Sequence, residues 1–181
     1  MVAIVKGLDG KPRCRWYLSA PEFLDYHDKE WVYPVDDDQR LFEKICLEGF
    51  QAGLSWRTIL VKRENFRKVF MHFDFNKIAN FKGSDVEQLL QNKDIIRNRS
   101  KIEAVIHNAR CAQKLVEKEG SLAKFFWKFE PDAKHLSEPQ SVSISKESTL
   151  LSKELKKRGW KFVGPTTACL LYTSPSPRDR G

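Results

Sequence analysis

From residue 36 to residue 159 the apolar side chains recur at three- and four-residue spacing, between residues that cap helices and residues that stop them. That period lays one face of each segment on a core and leaves no room for a sheet built on alternation. Asp36-Asp37-Asp38 offers an N-cap ahead of Leu41, Phe42, Ile45 and Cys46, and Gly49 is expected to end or bend this helix beside Glu48. Ser55 caps the next segment, with Trp56, Ile59, Leu60, Phe66, Val69 and Phe70 on its buried side. Ser84-x-x-Glu87 and Ser100-x-x-Glu103 read as capping boxes, and Gly120 stops the helix opened by the second. Residues 121–129 form a short aromatic core segment, and 130–147, with Pro131 and Pro139, a long loop. Ser148 or Thr149 opens a last clear helix, closed by Gly159. No strand alternation and no internal repeat is present, so the expected class is all-α.

At 181 residues the chain is one domain with extensions, and 41% apolar residues suffice for a core. Residues 1–12 read as a flexible N-terminal extension and 13–168 as the domain. Residues 169–181, with two closely spaced prolines, read as an atypical tail of artefactual composition. The net charge of +8 favours a polyanionic partner such as nucleic acid. The N-terminus does not resemble a signal peptide, and no apolar run approaches the ~20 residues of a membrane span. The expected setting is reducing and intracellular, with Cys14, Cys46, Cys111 and Cys169 as thiols or metal ligands.

The chemistry concentrates between residues 14 and 56. Trp16, Tyr26, Trp31 and Trp56 fall there with Glu48, a carboxylate with little polar company among Ile45, Cys46, Leu47, Gly49 and Ala52. Aromatic walls around one acceptor suit a flat, cationic, hydrogen-donating ligand, such as a positively charged damaged base pulled out of DNA. Gly159 to Thr167 follows the basic run Lys153-Glu154-Leu155-Lys156-Lys157-Arg158, and its Val-Gly-Pro turn into a new helix would present backbone N–H groups to a phosphate. Cys14 and His27 could be half of a tetrahedral zinc site, although spacing alone favours a packing role for each.

Taken together, these segments resemble the 3-methyladenine-DNA glycosylase I family of helix-hairpin-helix repair enzymes. The likeness rests on Cys14-x-Trp16, Tyr26-His27-Asp28-x-Glu30-Trp31, Leu47-Glu48-Gly49-x-Gln51-Ala52-Gly53-Leu54-Ser55-Trp56, Ile95-Ile96-Arg97-Asn98-Arg99-x-Lys101-Ile102, Asn108-Ala109-Arg110, and Leu155 through Thr167. The resemblance implies the helix-hairpin-helix glycosylase fold and hydrolysis of the N-glycosidic bond of 3-methyladenine in double-stranded alkylated DNA. Free 3-methyladenine would be the product, and the enzyme a monofunctional monomer, cytoplasmic in a bacterium or nuclear in a eukaryote. By the same resemblance Glu48 and Tyr26 would read the flipped base, Trp16 and Trp56 would stack on it, and Trp31 would support the pocket. Lys161, Val163, Gly164, Thr166 and Thr167 would grip DNA. Cys14 and His27 match two structural zinc ligands; the family's other two, a His and a Cys nearer its C-terminus, have no counterpart. A catalytically impaired truncated homologue, a helix-hairpin-helix DNA-binding module and a zinc-stabilised interaction domain are the alternatives.

Overall fold

A computed structural model describes residues 4–31, 33–130 and 144–169. The proposed tail beyond Cys169 and most of the proposed 130–147 loop lie outside the described residues.

Ten α-helices are described: α1 (Glu22–Tyr26), α2 (Asp38–Gln51), α3 (Trp56–Leu60), α4 (Arg63–Val69), α5 (Phe75–Ile78), α6 (Gly83–Gln91), α7 (Arg99–Glu119), α8 (Leu122–Phe126), α9 (Lys146–Lys157) and α10 (Pro165–Cys169). The class is all-α, with one small addition. β1 (Ile4–Lys6) and β2 (Pro12–Cys14) pair antiparallel, Ile4 opposite Cys14. Strands of three residues are too short for alternation to show in the sequence. This hairpin is held instead by Arg13, whose guanidinium binds Asp9 at 2.6 Å and Asp28 at 2.5 Å.

The central helix is α2, which packs against α3, α7, α8 and α10. Nine of the ten positions from Leu41 to Phe50, all but Lys44, are buried. Phe42, Phe50, Phe66, Phe70, Phe73 and Phe126 fill the core around it. Burial of such a side chain stabilises by about 1.5–3 kcal/mol, which outweighs the weak preference of phenylalanine for helix.

Several boundaries follow the expected caps. Asp37 accepts from the Arg40 N–H at 2.8 Å, Ser55 from the Thr58 N–H at 3.2 Å, and Gly120 stops α7 with a φ of 90°. Others differ. Gly49 does not end α2 but lies inside it, where a Cβ would sit 3.3 Å from Phe162 Cβ; the missing side chain lets another segment approach. The expected capping boxes at Ser84 and Ser100 are displaced upstream. Asp85 accepts from the Lys82 N–H at 2.6 Å, and Asn98 from the Lys101 N–H at 3.1 Å. Ser145, not Ser148 or Thr149, caps α9, and Ser148 returns the bond to the Ser145 N–H at 2.9 Å.

Candidate active site

The chain reverses into α1 and continues from Tyr26 directly into a π-helical turn, His27–Trp31. One extra residue per turn rotates the following side chains, a distortion frequent at functional sites. Trp16 comes from a 3-10 turn, Arg15–Ser19, and enters the same cluster. Its ring centroid lies 5.3 Å from Trp31, 5.3 Å from His27 and 6.2 Å from Tyr26. Tyr26 in turn lies 5.4 Å from Trp56, at the start of α3. Tyr26 is thus the hinge between two groups of rings.

On the Trp56 side of Tyr26 is a cavity of about 100 Å³ lined by Tyr26, Trp56, Glu48, Lys44, Arg63 and Glu30, among others. Trp16 and Trp31 are not in its lining; Trp16 packs against Tyr26, and Trp31 against Trp16. The expected aromatic box is therefore two layers, one facing the cavity and one supporting it.

Glu48 is 6% exposed, and burial lifts its carboxyl to about 8, against the opposing charge of Lys44 one helical turn earlier. Burial, with the Glu48 and Glu30 carboxylates, also pushes the Tyr26 phenol well above its ordinary value. Among the described residues four buried side-chain polar atoms lack a hydrogen-bond partner: Glu48 Oε2, Trp56 Nε1, Arg63 Nε and Trp160 Nε1. Three of the four belong to residues lining this one cavity. Buried polar groups are ordinarily paired, because an unmet one costs about 1–3 kcal/mol. An acceptor and two donors left open in one cavity are the complement of a polar, flat ligand.

An ion-pair network braces the outer wall. Glu43 is 4% exposed and receives Arg40 at 2.8 Å and Arg67 at 2.7 Å. Glu30 takes Arg63 at 2.6 Å and Arg40 at 3.3 Å. Burial opposes its ionisation, but Arg63 and Arg40 hold its carboxyl below the usual value. Sequence reasoning singled out none of Lys44, Arg63, Arg40 or Glu43 as pocket residues. The one available signal was Lys44, a charge four residues before Glu48 on the same face of α2.

The segment expected to grip DNA packs against α2 at Gly49, the residue after Glu48. Asn108 of α7 clamps Lys161 from both sides, its Nδ2 donating to the Lys161 carbonyl at 2.9 Å and its Oδ1 accepting from the Lys161 N–H at 2.8 Å. Ser152 Oγ donates to the Val163 carbonyl at 2.6 Å. These bonds hold Phe162 at a φ of 55°, uncommon for a non-glycine residue, with its Cβ against Gly49. Lys161 and Thr166 are exposed, Gly164 and Thr167 half-buried. Val163 is 2% exposed, so its side chain belongs to the core. Asn108→Ala is expected to weaken binding of duplex DNA roughly tenfold through loss of two partly buried hydrogen bonds, with affinity for a free base unchanged. Parallel titrations with duplex and with free base check it.

Cys14 and His27 are adjacent. The Cys14 N–H donates to His27 Nε2 at 3.2 Å, which puts the ring hydrogen on Nδ1, facing Asp28 Oδ1 at 2.9 Å. A carboxylate on Nδ1 is the usual companion of a metal-binding histidine, but the Nε2 lone pair that a metal would use is taken by the Cys14 N–H. Among the described residues no group of three or more His, Cys, Asp or Glu could hold an ion. Cys46, Cys111 and Cys169 are buried and unpaired elsewhere. The described residues therefore do not make the four-ligand set of a structural zinc.

The methyladenine glycosylase family profile matches residues 16–173. The chain is 47% identical over 159 residues to the DNA-3-methyladenine glycosylase of Haemophilus influenzae, covering 86% of each. It is 46% identical over 164 residues to DNA-3-methyladenine glycosylase 1 of Escherichia coli, covering 88% of this chain and 87% of that protein. A crystal structure of a 3-methyladenine DNA glycosylase I superposes with a TM-score of 0.82 at 44% identity, covering 90% of this chain and 93% of the other. A Staphylococcus aureus 3-methyladenine DNA glycosylase I, solved to show 3-methyladenine recognition, superposes at 0.79 with 31% identity, again covering 90% and 93%. With its buried Glu48 carboxylate in a cavity walled by Tyr26 and Trp56, the chain belongs to the methyladenine glycosylase family.

Proposed function

We propose that this chain removes 3-methyladenine from alkylated double-stranded DNA by hydrolysis of the N-glycosidic bond. The observation that carries the reading is the cavity in which Glu48 Oε2, Trp56 Nε1 and Arg63 Nε are all left open beneath Tyr26. Methylation at N3 makes the adenine cationic while it is still attached to the sugar. The bond pair of C1′–N9 leaves with the base, which departs neutral, and water supplies the new C1′–O bond and gives up a proton. The leaving group needs no proton, so the work of the protein is extrusion and recognition. Glu48 accepts from the exocyclic amine and, once ionised, offsets the cation. Tyr26 and Trp56 present ring faces worth roughly 0.5–2 kcal/mol against a cation, and Trp16 and Trp31 keep Tyr26 in place. Lys161, Gly164, Thr166 and Thr167 hold the phosphate backbone, with Val163 anchoring that segment in the core.

The test is release of free 3-methyladenine from methylated duplex DNA by the full chain, without strand cleavage; a folded chain that releases none refutes the reading. DNA affinity is expected to fall steeply with salt, and Lys161→Ala to flatten the log–log slope by about one. Lys157 and Arg158 contribute less than their number suggests, because Glu154 pairs both, at 2.7 and 2.6 Å. A slope unchanged in Lys161→Ala would remove that residue from the interface. We also propose that this chain, acting as an intracellular monomer, holds zinc only weakly through Cys14 and His27. Metal analysis after dialysis is expected to give well under one zinc per chain, and a stoichiometric, tightly held zinc would overturn this.

A further inference from the structure

Lys44 is the one lysine on the buried stretch of α2, and its side chain lines the same cavity as Glu48. The two are four residues apart, on one face of the helix. Burial lowers the Lys44 ammonium, while the Glu48 charge works to hold it up. The other charges that bear on it are Arg40, from the same helix, and Glu30, from the π-helical turn. Glu30 is already engaged by Arg63 and Arg40. Glu48 Oε2 has no hydrogen bond, and among the described residues none is found for Lys44. A half-buried ammonium is therefore held in a base pocket with no protein acceptor.

A positive charge in a pocket for a cationic base is unfavourable unless the ligand offers it a lone pair. An adenine does. Its exocyclic amine is flanked by a ring nitrogen on each side, and N3-methylation leaves both lone pairs free. A carboxylate and an ammonium side by side on one helix face match a donor beside an acceptor on one base edge. We propose that Lys44 is a specificity-determining residue of this pocket, its ammonium donating to a ring nitrogen next to the amine that Glu48 accepts from. The inference rests on the glycosylase reading. It extends that reading by restricting the substrate class to bases whose edge carries an amine beside an unsubstituted ring nitrogen.

The test removes each side of the bond in turn. Wild type, Lys44→Met and Lys44→Arg are titrated by tryptophan fluorescence with 3-methyladenine and with its 1-deaza and 7-deaza analogues, each of which replaces one flanking nitrogen by C–H. Lys44→Met is expected to weaken 3-methyladenine about tenfold or more and to leave unchanged the affinity for one of the two analogues. Lys44→Arg should recover part of the loss for 3-methyladenine. Wild type should bind that same analogue about tenfold more weakly than 3-methyladenine, a comparison that needs no variant to fold. Equal losses for all three bases in Lys44→Met, no loss for any, or wild-type affinities indifferent to both nitrogens would overturn the proposal. Release of 3-methyladenine from methylated DNA by wild type is measured alongside. If release occurs without this coupling, only the role of Lys44 fails; if there is no release, the glycosylase reading fails first.

Discussion

Glu48→Gln is expected to lower kcat/KM for release of 3-methyladenine at least a hundredfold while the protein remains folded. The amide keeps the shape and one acceptor but cannot ionise. It thus loses the charge that opposes the cationic base, in a cavity where water does little screening. The pH dependence separates this from a packing defect. In the free protein the Glu48 carboxyl titrates at about 8, because burial disfavours the charged form. The rate kcat/KM reports the free enzyme, so in wild type it should climb with pH and level off above about 8, and the variant should lack that limb. Stability should move in the opposite sense. The folded state holds its proton at Glu48 between the ordinary carboxyl value of 4.5 and about 8, whereas the unfolded chain has lost it. Wild-type stability from this group is therefore present below 4.5 and falls as pH rises to about 8, by at most about 1.4 kcal/mol per pH unit. Glu48→Gln removes that loss, so melts at pH 5 and pH 8 should favour the variant increasingly toward pH 8. Near-normal turnover by a folded variant would take Glu48 out of the reaction.

Glu43→Ala should cost about 3 kcal/mol of stability, the largest single loss expected from the polar residues of α2. Its carboxylate is buried, with Arg67 donating from Nε at 2.9 Å and from Nη2 at 2.7 Å, and Arg40 at 2.8 Å. Removing one partner of a buried pair strands the other charge, and such changes cost about 3–5 kcal/mol. The lower end applies because Arg67 keeps Glu64 and Arg40 keeps Glu30. For a domain of this size the melting temperature should fall by roughly 6–12 °C. Replacing both sides with apolar groups, Glu43→Leu with Arg67→Met, should recover much of it, since no charge is then left unpaired. A Glu43→Ala melt within 2 °C of wild type would show that the network braces nothing.

Helix content, the capping of α2 and α3 by Asp37 and Ser55, the stop at Gly120 and the singular position of Glu48 were legible from the residues alone. Each is set within one or two turns of chain, through side chain-to-backbone bonds and apolar period. The terminal hairpin was not legible, because Asp28, which secures it through Arg13, lies fifteen residues away. Nor was the place of Gly49, which reads as a helix stop until Phe162 is seen against it. The same holds for the site. The sequence supplied a carboxylate and four aromatic rings, and family resemblance supplied their roles. Only tertiary packing decided that Tyr26 and Trp56 face the cavity while Trp16 and Trp31 lie outside its lining, that Val163 turns into the core, and that Lys44 and Arg63 join the lining. The reason is range. Caps and periodicity are local, whereas which atoms are left without a partner depends on how segments far apart in the chain close around one another.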